Sequence, residues 1–141
     1  MNYYNHNSAF YFARELKRII PDESKVFQVD YSGIISFFSG KKVINGDGLI
    51  NSFEYYQLVK AGKLHDYIKR TNPQFLVFYT FTNPVEGDSL HYKFRLFKDY
   101  EFVIHKSKIL YRHPLLYGGI FRRKLGNFYL VELNDYKLKT D

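Results

Sequence analysis

Phe12, Leu16, Ile19 and Ile20 recur at helical spacing behind Ser8, a good N-cap, and Pro21 prevents continuation, so the first predicted element is an amphipathic helix. After the turn residues 21–24, Lys25-Val26-Phe27-Gln28-Val29-Asp30 reads as a strand rich in β-formers that ends at Asp30. Gly33 then marks a sharp turn, and Ile34, Ile35, Phe37 and Phe38 predict a short buried helix closed by Gly40. Residues 41–44 give a brief second strand, and Gly46 and Gly48 make the following stretch a loop around Asp47. Ser52 caps a further helix with Glu54 against its N-terminal dipole and Tyr55, Leu58 and Val59 inward, until Gly62 breaks it. A second helical piece turns Leu64, Tyr67 and Ile68 inward and stops at Asn72-Pro73, before a strand over 74–81 that the consecutive Phe75, Leu76, Val77 and Phe78 predict to be buried on both faces.

From residue 83 the pattern changes. Asn83-Pro84 and Gly87-Asp88 are turn signals, and Tyr92, Phe94 and Leu96 alternate with His91, Lys93 and Arg95 as in a strand. Residues 101–105, 109–112, 120–123 and 128–133 predict further strands. The expected fold class is therefore α/β, with a three-layer Rossmann-like N-terminal part and an antiparallel β extension at the C-terminus. At 141 residues this is one domain, 1–141, divided into an α/β part, 1–82, and a β-rich basic part, 83–141.

Composition narrows the chemistry. An apolar content of 45% and a charged content of 25% are those of a globular protein. Cysteine is absent, which excludes disulfides, thiolate metal sites and cysteine nucleophiles. The five histidines, His6, His65, His91, His105 and His113, lack paired zinc-ligand spacing, so no metal is expected. Aromatic residues reach 20% with no Trp, which reads as the codon bias of an AT-rich genome, with aromatics filling the core, ahead of a selected binding surface. Residues 1–7 lack the apolar core of a signal peptide, and no stretch approaches the ~18 apolar residues of a membrane span, so the chain reads as soluble. The net charge of +7 is uneven: residues 1–90 carry 10 Lys and Arg against 9 Asp and Glu, whereas residues 91–141 carry 11 against 5. That excess is a cue for phosphate-bearing partners, nucleic acid or anionic lipid headgroups.

Two loops carry candidate binding chemistry. Asp30-Tyr31-Ser32-Gly33 lies between a strand and a helix, where open α/β sheets bind ligands. Neither the glycine spacing of a dinucleotide site nor a P-loop is present, so no cofactor is implied. In the second loop, glycines flank Asp47 while Asn45 and Asn51 offer donors and acceptors, which suits a hydroxyl-rich ligand. The candidate ligand-binding set is Asp30, Ser32, Asn45, Asp47 and Asn51. The ordinary alternative is that both acids bond backbone amides in turns. Asp30, Asp47 and Glu54 would suffice for glycoside hydrolysis only at a suitable carboxylate separation.

The run Asp30-Tyr31-Ser32-Gly33-Ile34-Ile35-Ser36-Phe37-Phe38-Ser39-Gly40, continued by Asn45-Gly46-Asp47-Gly48-Leu49-Ile50-Asn51, resembles a pattern in polytopic membrane glycosyltransferases of the GT-C type. The likeness covers residues 8–81 and departs at Gly46, where an apolar residue is more usual. It implies an extracytoplasmic domain following the membrane helices of a lipid-phosphosugar-dependent, mannosyltransferase-like parent. Catalytic acids in that family sit in loops between membrane helices, so no activity is expected from this chain alone. The resemblance implies a non-catalytic role, assisting recognition of a sugar or lipid-linked sugar, with the parent's membrane helices as neighbours.

The C-terminal bases include Arg112, Arg122, Arg123 and Lys124, the expected contacts to an anionic surface. On strands, aromatic neighbours of basic residues point to the opposite face, so the aromatics are expected in the core and the bases in water. Headgroups rank ahead of nucleic acid as partners on this reading. The alternative is a free-standing cytoplasmic α/β protein that binds a nucleotide or RNA.

Overall fold

The computed structural model describes residues 3–29, 32–46, 52–80, 85–86, 90–95, 100–117, 124–134 and 137–140. Helices α1 (Tyr3–Ile19), α2 (Ser32–Ser39), α3 (Phe53–Lys60) and α4 (Leu64–Thr71) alternate with strands β1 (Lys25–Gln28), β2 (Lys42–Asn45) and β3 (Phe75–Thr80). The later strands are β4 (Val85–Glu86), β5 (His91–Arg95), β6 (Tyr100–His105), β7 (Ile109–Tyr117), β8 (Lys124–Glu132) and β9 (Lys137–Thr140). The protein is mixed α/β. One five-stranded sheet has the order β2-β1-β3-β8-β7, and one four-stranded sheet the order β4-β5-β6-β9.

The large sheet joins two kinds of pairing. β1 pairs in parallel with β2 and β3, whereas β8 runs antiparallel to both β3 and β7. The C-terminal strands are thus not all a separate extension, since β7 and β8 complete the sheet that β1 begins. Only β4, β5, β6 and β9 form an antiparallel sheet of their own.

Strand alternation divides the interior into two clusters. Val26, Val77, Phe128 and Leu130 pack with Ala9, Phe12, Ala13, Leu16 and Ile20 from the α1 segment and with Ile35 of α2. Their neighbours Phe27, Leu76, Phe78, Tyr129 and Val131 point the other way, against Tyr55, Leu64 and Ile68 of the helical pair and Phe94, Phe102 and Ile104 of the second sheet. Stacking of Phe78 on Phe94, with ring centroids 4.8 Å apart, and its edge contact with Phe102 join the two sheets.

Several local signals act as the sequence suggests. The Ser52 hydroxyl accepts a hydrogen bond from Tyr55 N at 3.2 Å, and Gly40, Gly62 and Asn72 adopt the left-handed backbone that ends a helix. Others are overturned. Ser8 does not cap α1 but lies buried inside it, because the helix begins at Tyr3, and Ile19 faces outward. Gly33 makes no sharp turn, since it sits in the first turn of α2. α2 is not a buried helix: Ile35 and Ser39 face inward, while Phe37 and Phe38 are exposed, because eight residues in two turns have only one side against the protein. The strand expected over 120–123 lies outside the described residues.

Phe102 has no exposed surface and ties the second sheet to the first. Phe102→Ala is expected to cost about 3–5 kcal/mol, from lost transfer energy and the cavity left behind, read as a lowered denaturation midpoint.

Candidate functional site

The carboxyl ends of β1 and β2 lie side by side, because the parallel register aligns Gln28 with Asn45. On its other side Gln28 aligns with Val77 of β3. Since Val26, Val43 and Val77 all pack toward α1 and α2, alternation puts Gln28 and Asn45 on that same face. α2 starts four residues after Gln28, so Ser32 opens the helix at this end of the sheet. β1 has β2 on one side and β3 on the other, both parallel to it.

Of the expected ligand residues, Ser32 and Asn45 are half-buried at this end, whereas Asp30, Asp47 and Asn51 lie outside the described residues. Gln28 was missed. It is fully buried, and neither its side-chain oxygen nor its nitrogen has a hydrogen-bond partner. An unpaired buried amide is costly, which is why nearly all such groups in folded proteins are satisfied. A polar residue at the end of Lys25-Val26-Phe27-Gln28 reads as a solvent-facing position, yet Gln28 lies on the face that packs toward α1 and α2.

The loop after β2 is held from below. Gly46 N donates to Gln28 O at 2.7 Å, and the buried Tyr55 hydroxyl donates to Gly46 O at 2.8 Å. A Cβ on Gly46 would stand 2.5 Å from Phe27 Cζ, so this position accepts no side chain while the Phe27 ring fills the core beneath it.

The acids and bases described elsewhere have structural partners. Glu54 pairs with Arg70 at 3.4 Å on the surface, too exposed to contribute much. Lys41, unexpectedly buried, donates to Asp22 at 2.7 Å, and that hydrogen bond, with the ammonium charge, lowers the Asp22 pKa. Arg112 is exposed as expected, yet its guanidinium donates to Asn127 Oδ1 at 2.8 Å and lies over the Tyr129 ring. Arg122 and Arg123 fall outside the described residues, and of Lys124 only its place at the start of β8 is described. Arg95 is exposed beside buried Phe94, the alternation expected of the basic strands. The His91 and His105 rings meet edge to face at 5.2 Å across β5 and β6. Among the described residues no group of three or more His, Asp or Glu side chains is placed to hold a metal ion. Among the same residues no helix is long and apolar enough to cross a membrane. A groove of ≈ 400 Å³ at the opposite end of the parallel strands is lined by Pro21, Ser24, Pro73, Gln74 and Glu132 among others.

The chain matches no protein family, no curated protein and no solved structure.

Gln28→Met keeps the volume and removes the unpaired amide, so it is expected to stabilise the fold by about 1–3 kcal/mol in denaturant titration. Destabilisation would show that the amide has a partner in solution. His113, whose Nδ1 lies 3.1 Å from the Tyr111 hydroxyl, has its pKa lowered from 6.5 by desolvation, with Glu15 opposing. The neutral ring's contribution to stability is therefore present above the unfolded pKa of about 6.5 and is lost as pH falls through the folded value. A proton NMR titration should give His113 a midpoint below 6.5.

Proposed function

We propose that this chain is a non-catalytic recognition domain of a membrane glycosyltransferase-like protein. Its N-terminal part reads as Rossmann-like and three-layered, and the carboxyl ends of β1 and β2 receive a sugar or the phosphosugar head of a lipid-linked donor. The observation that carries the reading is the buried, unpartnered amide of Gln28 at the carboxyl end of β1. An amide offers two donors and a carbonyl acceptor, which complements vicinal hydroxyls, each both donor and acceptor. Ser32 and Asn45 add a hydroxyl and a second amide at the same end, where α2 begins, and helix N-termini are suited to phosphate.

One feature supports a binding rather than a catalytic role: the resembled family places its catalytic acids between membrane helices. The same resemblance supports placement on the extracytoplasmic face, beside the helices of a parent chain.

Calorimetric titration with mannose 1-phosphate tests this. Binding is expected, weakened about tenfold or more by Gln28→Met or Asn45→Ala, the cost of losing one buried polar contact to the ligand. Both variants should keep the wild-type circular dichroism spectrum. Absence of any heat with mannose 1-phosphate, or an unchanged affinity in Gln28→Met, overturns the assignment.

A further inference from the structure

Two helices place aromatic rings where the core cannot use them. Phe10 meets Tyr11 at 5.4 Å between ring centroids, Phe10 meets Phe38 edge to face at 4.8 Å, and Phe38 meets Phe37 edge to face at 5.0 Å. The four rings form one continuous ridge along α1 and α2, with Tyr11 53%, Phe38 42% and Phe37 81% exposed. The inward positions of both helices are already occupied by Ala9, Phe12, Ala13, Leu16 and Ile35, so nothing within the fold can turn the ridge inward. Contiguous exposed apolar surface of this kind marks an interaction site.

The rim of the ridge identifies the partner. Phe10, Arg14 and Lys17 follow one another at i, i+4 and i+7 on α1, and Tyr11, Arg14 and Arg18 at i, i+3 and i+7, so rings and cations share one outward stripe. Arg14 lies 5.7 Å from the Phe10 ring centroid. Between residues 8 and 20 the only acid is Glu15, 3.4 Å from Arg18, and α2 carries no charge at all. Such a surface sets exposed aromatic rings beside exposed cations. A bilayer interface is complementary to it: aromatic rings settle at headgroup depth, and guanidinium and ammonium groups meet lipid phosphates.

We infer that the α1–α2 ridge docks on an anionic membrane surface, with Phe37 and Phe38 inserted and Arg14, Lys17 and Arg18 on the headgroups. This surface is distinct from the C-terminal bases and does not depend on the ligand assignment to Gln28, which lies beneath the helices.

The chain contains no Trp, so Phe37→Trp supplies a single reporter on the ridge itself. Its emission is expected to shift to the blue on mixing with phosphatidylglycerol-containing vesicles, much less with phosphatidylcholine alone, and to return as salt is raised. In sedimentation with the same vesicles, Phe38→Ser should weaken binding about tenfold, the burial energy of the part of that ring the fold leaves exposed, while the circular dichroism spectrum stays that of the wild type. Emission that phosphatidylglycerol vesicles leave unmoved at low salt overturns the inference. So does a reporter already blue-shifted without lipid in a protein that sediments as a dimer, which would give the ridge to a second copy of the chain.

Discussion

β3 is the middle strand of the large sheet, hydrogen-bonded on both edges and apolar on both faces, and its neighbours β1 and β8 are held through it. Its backbone joins β1 in parallel and β8 antiparallel, while Leu76 and Phe78 project into one cluster and Val77 into the other. A strand so placed cannot slip by one residue, because a slip would exchange the side chains of the two clusters. That fixed register aligns β1 and β8 across the sheet and sets the level at which the second sheet docks through Phe78. It also brings Val77 beside Gln28, so the site inherits its geometry from the centre of the core.

The carboxyl end of β1 shows how a costly group is tolerated. Around the unsatisfied Gln28 amide the chain is closed by tight contacts: the Phe27 ring under Gly46, the Tyr55 hydroxyl on the Gly46 carbonyl, and the Gly46 amide on the strand carbonyl. A neutral hydrogen bond in such a setting contributes about 1 kcal/mol, so a few together offset one orphaned amide. The unsatisfied polarity at this end of the sheet is a local departure from an otherwise consistent fold.

Much of the local structure was legible because its causes are local. Gly40, Gly62 and Asn72 end helices through their own backbone, Ser52 caps through its own hydroxyl, and four consecutive apolar residues, Phe75 to Phe78, leave no polar face for water. What escaped depends on distant neighbours. α1 extends back to Tyr3 without a cap signal, and it is packed against α2 and β7. Phe37 and Phe38 look like core residues by composition, and which side of so short a helix meets the protein is settled by its packing on α1 and β2. The choice of β8 as the partner of β3 is not written in the periodicity of either strand, since any alternating or apolar strand could take that edge. For the site, the loop residues drew attention through glycine and asparagine, whereas Gln28 and Lys41 are ordinary residue types whose significance comes from being enclosed.

The order β2-β1-β3-β8-β7 also constrains how the chain comes together in time. β3 gains its second neighbour only when β8, about fifty residues further on, has been made, so during synthesis the strand has an unpaired apolar edge while the intervening chain emerges from the ribosome. Closing so long a loop is slow compared with forming the helices on either side, and the nascent chain in that interval is open to wrong edge pairings. β8 thus acts as a latch on β1, β2 and β3, closing the open edge of β3 only after the chain between the two strands has been made.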